Sequence, residues 1–352
     1  MKKFLSLMLA LLMVMSLSTV AWAEKPDVNP TFKVKYTTNY TGTTTSNPKE
    51  TFTFKFTEGT VVEANAADLD APAIPNATVD FAANSAAAAD SAQEVEVTVN
   101  LSKVTWPSVG IYTYTVSQVP GSTAGVTYDT TSYKMKVTVA YDEGTDTYYT
   151  AFITMTLVDG DGDGVPGDGA TADKTAGTFT NTYSAADLAV SKLVTGNMGD
   201  KSAYFEVDVT VSEPVDTADT YPTSFAVSGG SEQSNPTTIT AGASTTFKLK
   251  DGETINIKNL PYGMNYTVAE KDYTVEPYGY DKAKYKVNNE DPVEVSGTGA
   301  VDAAAEAVVI TNNKGVQVDT GITLDSLPYI LLLGLAVVGL VLFAVKRRSN
   351  EA

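Results

Sequence analysis

The 352-residue chain has no cysteine and no histidine. The first absence excludes disulfides, thiolate nucleophiles and thiolate zinc sites. The second removes every histidine-based triad and acid–base pair. Positive charge is scarce: 24 Lys and Arg stand against 42 Asp and Glu, a net charge of -18. Such a surface lacks the cations needed to neutralise a phosphate backbone, so nucleic acid is not an expected partner. No Walker loop, Gly-x-Ser-x-Gly elbow or Rossmann fingerprint is present. What is there is ample apolar material, 43% of residues, enough for packed cores in two domains at this length.

The longest apolar runs sit at the two ends. Lys2 and Lys3 precede an apolar stretch from Phe4 to Val20, and Ala21-Trp22-Ala23 follows. This is the charge, core and small-residue order of a secretory signal peptide, residues 1–23. Leu327 to Val345 is almost wholly apolar and is followed at once by Lys346, Arg347 and Arg348. At 1.5 Å per residue a helix there reaches about 28 Å, a hydrocarbon core's thickness. The basic stop predicts a single-pass transmembrane helix with its C-terminus in the cytoplasm. The chain between the two ends is then extracellular.

That middle reads as all-β. Thr51–Phe56, Glu94–Val99, Tyr112–Val116, Tyr133–Ala140 and Tyr148–Leu157 alternate apolar and polar residues. A period of two with Thr, Val, Tyr and Phe predicts half-buried antiparallel strands, and regular turn signals predict sandwiches. A weak repeat ends in Phe179-Thr180-Asn181 in one copy and Ile310-Thr311-Asn312 in the other. The expected architecture is two tandem Ig-like antiparallel β-sandwiches, at 24–184 and 185–316, with a sorting and anchoring segment at 317–352. Ala-rich residues 82–92 read as a loop or one short helix.

Three polar residues fall on inward strand phases in the second unit. Lys192 shares a phase with Leu188 and Val190, Asn312 with Val308 and Ile310, and Glu270 with Tyr266 and Val268. A buried lysine needs a partner. Lys192-Leu193-Val194-Thr195-Gly196, Tyr266-Thr267-Val268-Ala269-Glu270 and Ile310-Thr311-Asn312 resemble the isopeptide-forming β-sandwich domains of Gram-positive pilins, notably the streptococcal major pilin family. Tyr112–Ser117, Gly125–Asp129 and Phe179–Tyr183 resemble the pilin linkage domain. The resemblance implies that Lys192 and Asn312 form an amide cross-link with Glu270 as proton shuttle, hydrogen-bonded to the Asn312 carbonyl. It is a self-modification with one turnover, not an enzyme activity. The plain alternative is that the three form a buried ion pair with a hydrogen bond, or are surface residues.

The first unit departs from this pattern. Gln118 stands at the acid position. If a bond forms, Lys35 with Asn181 is the expected pair, yet the alternation puts Lys33 and Lys35 on the outer face, which favours a plain sandwich. Before the apolar span, Gln317-Val318-Asp319-Thr320-Gly321 resembles an LPxTG-type sorting signal without its proline, with Thr320–Gly321 as the bond for sortase. Asp159, Asp161 and Asp163 match the first positions of an EF-hand-type calcium loop, but position 12 is Ala170, and a turn-rich loop is the simpler reading. No other cofactor is expected.

These signals describe a structural surface protein: a pilin-like subunit held at the cell wall or plasma membrane of a Gram-positive-type bacterium. The expected partners are sortase, other pilin subunits or peptidoglycan, and the membrane. The alternative is an adhesin, a monomeric stalk presenting a site for a host or cell-surface ligand.

Overall fold

The computed structural model describes residues 28–41, 45–62, 69–87, 92–157, 177–215, 217–302 and 305–315, together with 329, 331–333 and 335–336. The predicted signal peptide, the Asp159–Asp163 loop and Thr320–Gly321 lie outside them. Of the predicted span 327–345, six residues are described, and they are helical. Among the described residues no helix is long and apolar enough to cross a membrane.

The fold is all-β. The strands are β1 (Thr31–Thr41), β2 (Thr45–Asn47), β3 (Glu50–Val62), β4 (Ala77–Phe81), β5 (Asn84–Ala87), β6 (Ala92–Thr98), β7 (Gly110–Val119), β8 (Val126–Thr127), β9 (Ser132–Asp142) and β10 (Thr147–Leu157). There follow β11 (Thr178–Thr195), β12 (Phe205–Ser212), β13 (Ser224–Gly229), β14 (Thr238–Thr240), β15 (Thr245–Leu249), β16 (Thr254–Pro261), β17 (Asn265–Glu270), β18 (Lys284–Val287), β19 (Gly297–Ala300) and β20 (Glu306–Asn313). The Ala-rich segment contributes β5 in place of the loop or helix expected there.

Two apolar cores organise these strands. In the first, β6, β1 and the start of β11 face a five-stranded sheet ordered β10-β9-β7-β3-β4. Alternate residues of each strand point inward; Phe32 meets Phe54 and Phe179 edge-on, Phe54 and Phe179 meet tilted, and the ring centroids are 4.8 to 5.4 Å apart. In the second core, β14-β13-β16 and the end of β11, continued by β20 and β18, face β15-β12-β17-β19.

The sheets are mixed, not purely antiparallel as expected. β1 runs parallel to β11, and β11 runs parallel to β20. The reason is topological: the opening and closing strands of each unit lie side by side and point the same way, and a whole unit of chain serves as the crossover. β11 closes the first unit and opens the second without a break. Its inward residues run Phe179, Asn181, Tyr183, Ala185 in the first, then Leu188, Val190, Lys192, Val194 in the second. A register shift between Ala186 and Leu188, against β16, moves the phase from odd to even numbers there.

The junction is tightly bonded. Asp187, almost buried, accepts from the Tyr40 hydroxyl, from Lys258 Nζ at 2.7 Å and from the Asn259 backbone N–H at 3.0 Å. Asn259 Nδ2 donates to the Ser46 carbonyl at 2.7 Å, reaching from the second unit back to the first. Ala124 packs with the second core although it precedes β9 in sequence. Gly125, at φ +77°, lets the chain pass beside β11; a Cβ there would lie 2.7 Å from the Ser184 carbonyl.

Candidate cross-linking site

The candidate site is built from three strands of the second unit. Lys192 lies near the end of β11, Asn312 near the end of β20 and Glu270 at the end of β17, on the opposing sheet. In the parallel ladder Lys192 faces Ile310, and Val194 faces Asn312. The lysine and asparagine are therefore diagonal neighbours on one inward face, within reach of a long side chain. Gly196, at φ +86°, follows β11 where the chain passes close to Lys314; a Cβ would meet the Lys314 carbonyl at 2.2 Å.

The structure brings the three side chains into one contact. Lys192 Nζ donates to Asn312 Oδ1 at 2.6 Å, and Asn312 Nδ2 donates to Glu270 Oε2 at 2.6 Å. Glu270 Oε1 lies 3.3 Å from Nζ, accepts no hydrogen bond, and both side chains are fully out of solvent. Glu270 thus faces the amide nitrogen, not the carbonyl oxygen expected from sequence. An ammonium can only donate, so it turns Oδ1 toward itself and leaves Nδ2 for the carboxylate.

The surroundings are apolar. The Phe205 ring centroid is 4.3 Å from Nζ, and Val194, Phe205 and Tyr280 form a small cluster over the site. The Glu270 backbone N–H donates to the Tyr285 hydroxyl at 2.7 Å, which fixes the end of β17. Burial pushes the Lys192 ammonium below its ordinary value and the Glu270 carboxyl above its own, each opposed in part by the other's charge. Both shifts favour an uncharged amine beside a protonated acid.

The first unit does not repeat the arrangement. Lys35 is excluded from the site: its side chain is 42% exposed and lies 3.4 Å from Glu94, with Lys33 also on Glu94 at 2.7 Å. The alternation of β1 points both lysines outward. The pairing of Lys35 with Asn181 is corrected on that ground. Asn181 is fully buried, and its amide is held by Gln118 in both directions, at 2.6 and 3.0 Å, and by the Asp129 N–H at 3.0 Å. In the β1–β11 ladder Val34 faces Phe179 and Tyr36 faces Asn181. Val34 therefore stands where Lys192 stands in the second unit. The acceptor amide is present, while the nucleophile and the acid are replaced by Val34 and Gln118.

Sequence reasoning did not single out Glu306, which shares the inward phase of Val308, Ile310 and Asn312. Its buried carboxylate takes hydrogen bonds from the Tyr266 hydroxyl at 2.7 Å and Asn288 Nδ2 at 2.8 Å. The phase alone was the signal that could have found it. Among the described residues no cluster of acidic side chains suits a metal ion.

Comparison with known proteins follows the same division. Residues 33–184 match the family of Spy0128-like isopeptide containing domains, and residues 186–314 match a domain family of unknown function. A protein of Streptococcus pyogenes serotype M1 named as a pilin is 28% identical over 313 residues, 86% of each chain. The crystal structure of the major pilin of Streptococcus pyogenes superposes with a TM-score of 0.54 at 23% identity, over 82% of this chain and all of that one. The T3.2 major pilin of the same species gives a TM-score of 0.51 at 25% identity, over 81% and 98%. The chain is thus similar to the streptococcal pilins over most of its length, and its first unit matches the family of Spy0128-like isopeptide containing domains.

Proposed function

We propose that the chain is a structural subunit of the cell surface, stabilised by an amide bond that its second unit makes for itself. One observation carries this reading: Lys192, Glu270 and Asn312 meet in a dry site that joins the opening strand of the unit to its closing strand. A proton passes from the Lys192 ammonium to Glu270. The neutral Nζ attacks Asn312 Cγ, and the Nζ–Cγ bond forms as the Cγ–Nδ2 bond breaks. Glu270, now protonated, gives its proton to Nδ2, which departs as ammonia, and its carboxylate then takes up the proton that Nζ sheds on becoming an amide nitrogen. Holding amine and amide within hydrogen-bond distance supplies much of the rate enhancement.

The same reading covers the rest of the chain: two tandem Ig-like units outside the cell, a signal peptide at 1–23, and a membrane helix at 327–345 behind Thr320–Gly321 as a sortase site. The partners are sortase and further pilin subunits. The similarity to pilins supports surface placement and assembly with such subunits. A second reading, an adhesive stalk, draws on a cavity of about 270 Å³ at the second unit, lined among others by Tyr204, Tyr273, Tyr278, Tyr280 and Met198. Such an aromatic lining suits a partly apolar ligand.

Intact mass of the purified full chain tests the bond. The native chain is expected to be one ammonia lighter than its sequence, and Lys192→Ala or Glu270→Ala is expected to restore the sequence mass. A native chain at full sequence mass would remove the chemistry.

A further inference from the structure

We propose that, pulled along its length, this chain yields in its first unit and holds in its second. The inference rests on the bond proposed above for the second unit. It adds that the first unit is a reversible extensible element, which the asymmetry of the two closing ladders dictates.

In each unit the opening and closing strands are parallel neighbours. Tension applied at the ends draws the start of β1 one way and the far end of β11 the other. It therefore shears the nine-rung ladder from Lys33–Thr178 to Thr41–Ala186. The same geometry recurs between β11 and β20 over the rungs from Leu188–Glu306 to Thr195–Asn313. In the second unit a Lys192–Asn312 bond would take that load through side chains and leave the chain between them slack.

Among the described residues the first unit has no such route. Val34 carries no nucleophile, and Gln118 has no acidic proton to transfer. Lys33 and Lys35 are engaged with Glu94 on the outer face. Hydrogen bonds and apolar packing alone oppose the shear of β1 against β11. The junction passes force without a hinge, because β11 is one strand through both units and Asp187 ties Tyr40 to Lys258 and Asn259. The load therefore reaches the β1–β11 ladder undiminished.

The test is single-molecule stretching of the full chain, purified in detergent with attachment handles at both ends, on a sample whose intact mass is also measured. Unfolding residues 31–183 releases about 50 nm of contour, and unfolding residues 188–313 about 40 nm. A chain one ammonia lighter is expected to show one rupture of about 50 nm, and to show it again after relaxation. Glu270→Gln, which keeps the shape of the acid but not its chemistry, is expected to add the rupture of about 40 nm. A chain one ammonia lighter with no rupture, or with both, overturns the division of labour. Loss of two ammonias with no rupture overturns it as well, by showing a bond in the first unit. Loss of none, with both ruptures, overturns the bond itself and the division with it.

Discussion

Val34 and Lys192 hold matching places, relative to a buried asparagine, in two parallel ladders. Each pairs with the residue two places before a fully or almost fully buried asparagine, Asn181 in one case and Asn312 in the other. One rung carries an amine and the other a hydrocarbon. That difference and a second, Glu270 against Gln118, are the two on which the proposed cross-link turns.

The bond would close a loop of 121 residues, from Lys192 to Asn312. By the loop-entropy model used for disulfides this stabilises the unit by about 5 kcal/mol. Asn312→Ala is expected to lower the melting temperature of the second unit by roughly 15 °C. Calorimetry of the full chain checks this. Equal melting of native and variant protein would mean the native chain is unbonded too.

The pair also sets a pH dependence. In Lys192→Met no bond can form, and Glu270 stays buried with its pKa raised by desolvation above the ordinary 4.5. Between 4.5 and the raised value the folded state holds a proton that the unfolded state has released, so stability falls as pH rises through that window. Urea unfolding of Lys192→Met is expected to show this fall. Adding Glu270→Gln is expected to flatten it. A stability that rises with pH through the same range would contradict the assigned shift.

The bonding rate has its own profile. The reactive pair holds one proton in total, shared between amine and acid. Two protons block the amine and none disarms the acid, so the rate is expected to be bell-shaped in pH. Because Lys192 is lowered and Glu270 raised, the bell should fit inside the window from 4.5 to 10.5. A chain ending before β20, mixed with a peptide of residues 305–315, gives the rate by gel shift. A rate still climbing at the upper edge would count against Glu270 as the proton carrier.

In the first unit, Asn181→Ala removes the partner of a buried Gln118 amide. The expected cost is about 1–3 kcal/mol, from one buried polar group left without its hydrogen bonds. Mass should not change beyond the substitution, because no ammonia is lost there. A native first unit that proves one ammonia light would refute the Val34 assignment.

Much of the site was legible in the alternation of apolar residues. Leu188 and Val190 fixed the phase of Lys192, Val308 and Ile310 that of Asn312, and Tyr266 and Val268 that of Glu270. What alternation cannot supply is strand pairing. The parallel ladders and the passage of β11 through both units arise from contacts far apart in sequence, and no local pattern encodes them. The same limit hid Val34: an inward valine in a strand looks like any core residue until its rung is known. Asp187 was equally silent, because its partners, Tyr40 on β1 and Lys258 and Asn259 on β16, are far from it in sequence and meet only at the junction.

The central claim is a covalent bond between two named atoms, and its most direct measurement is tandem mass spectrometry of a tryptic digest. The account predicts a branched peptide in which Lys192 is uncleaved and joined through its Nζ to the side chain of Asn312. Recovery of the Lys192 and Asn312 peptides as two separate, unmodified species would contradict it.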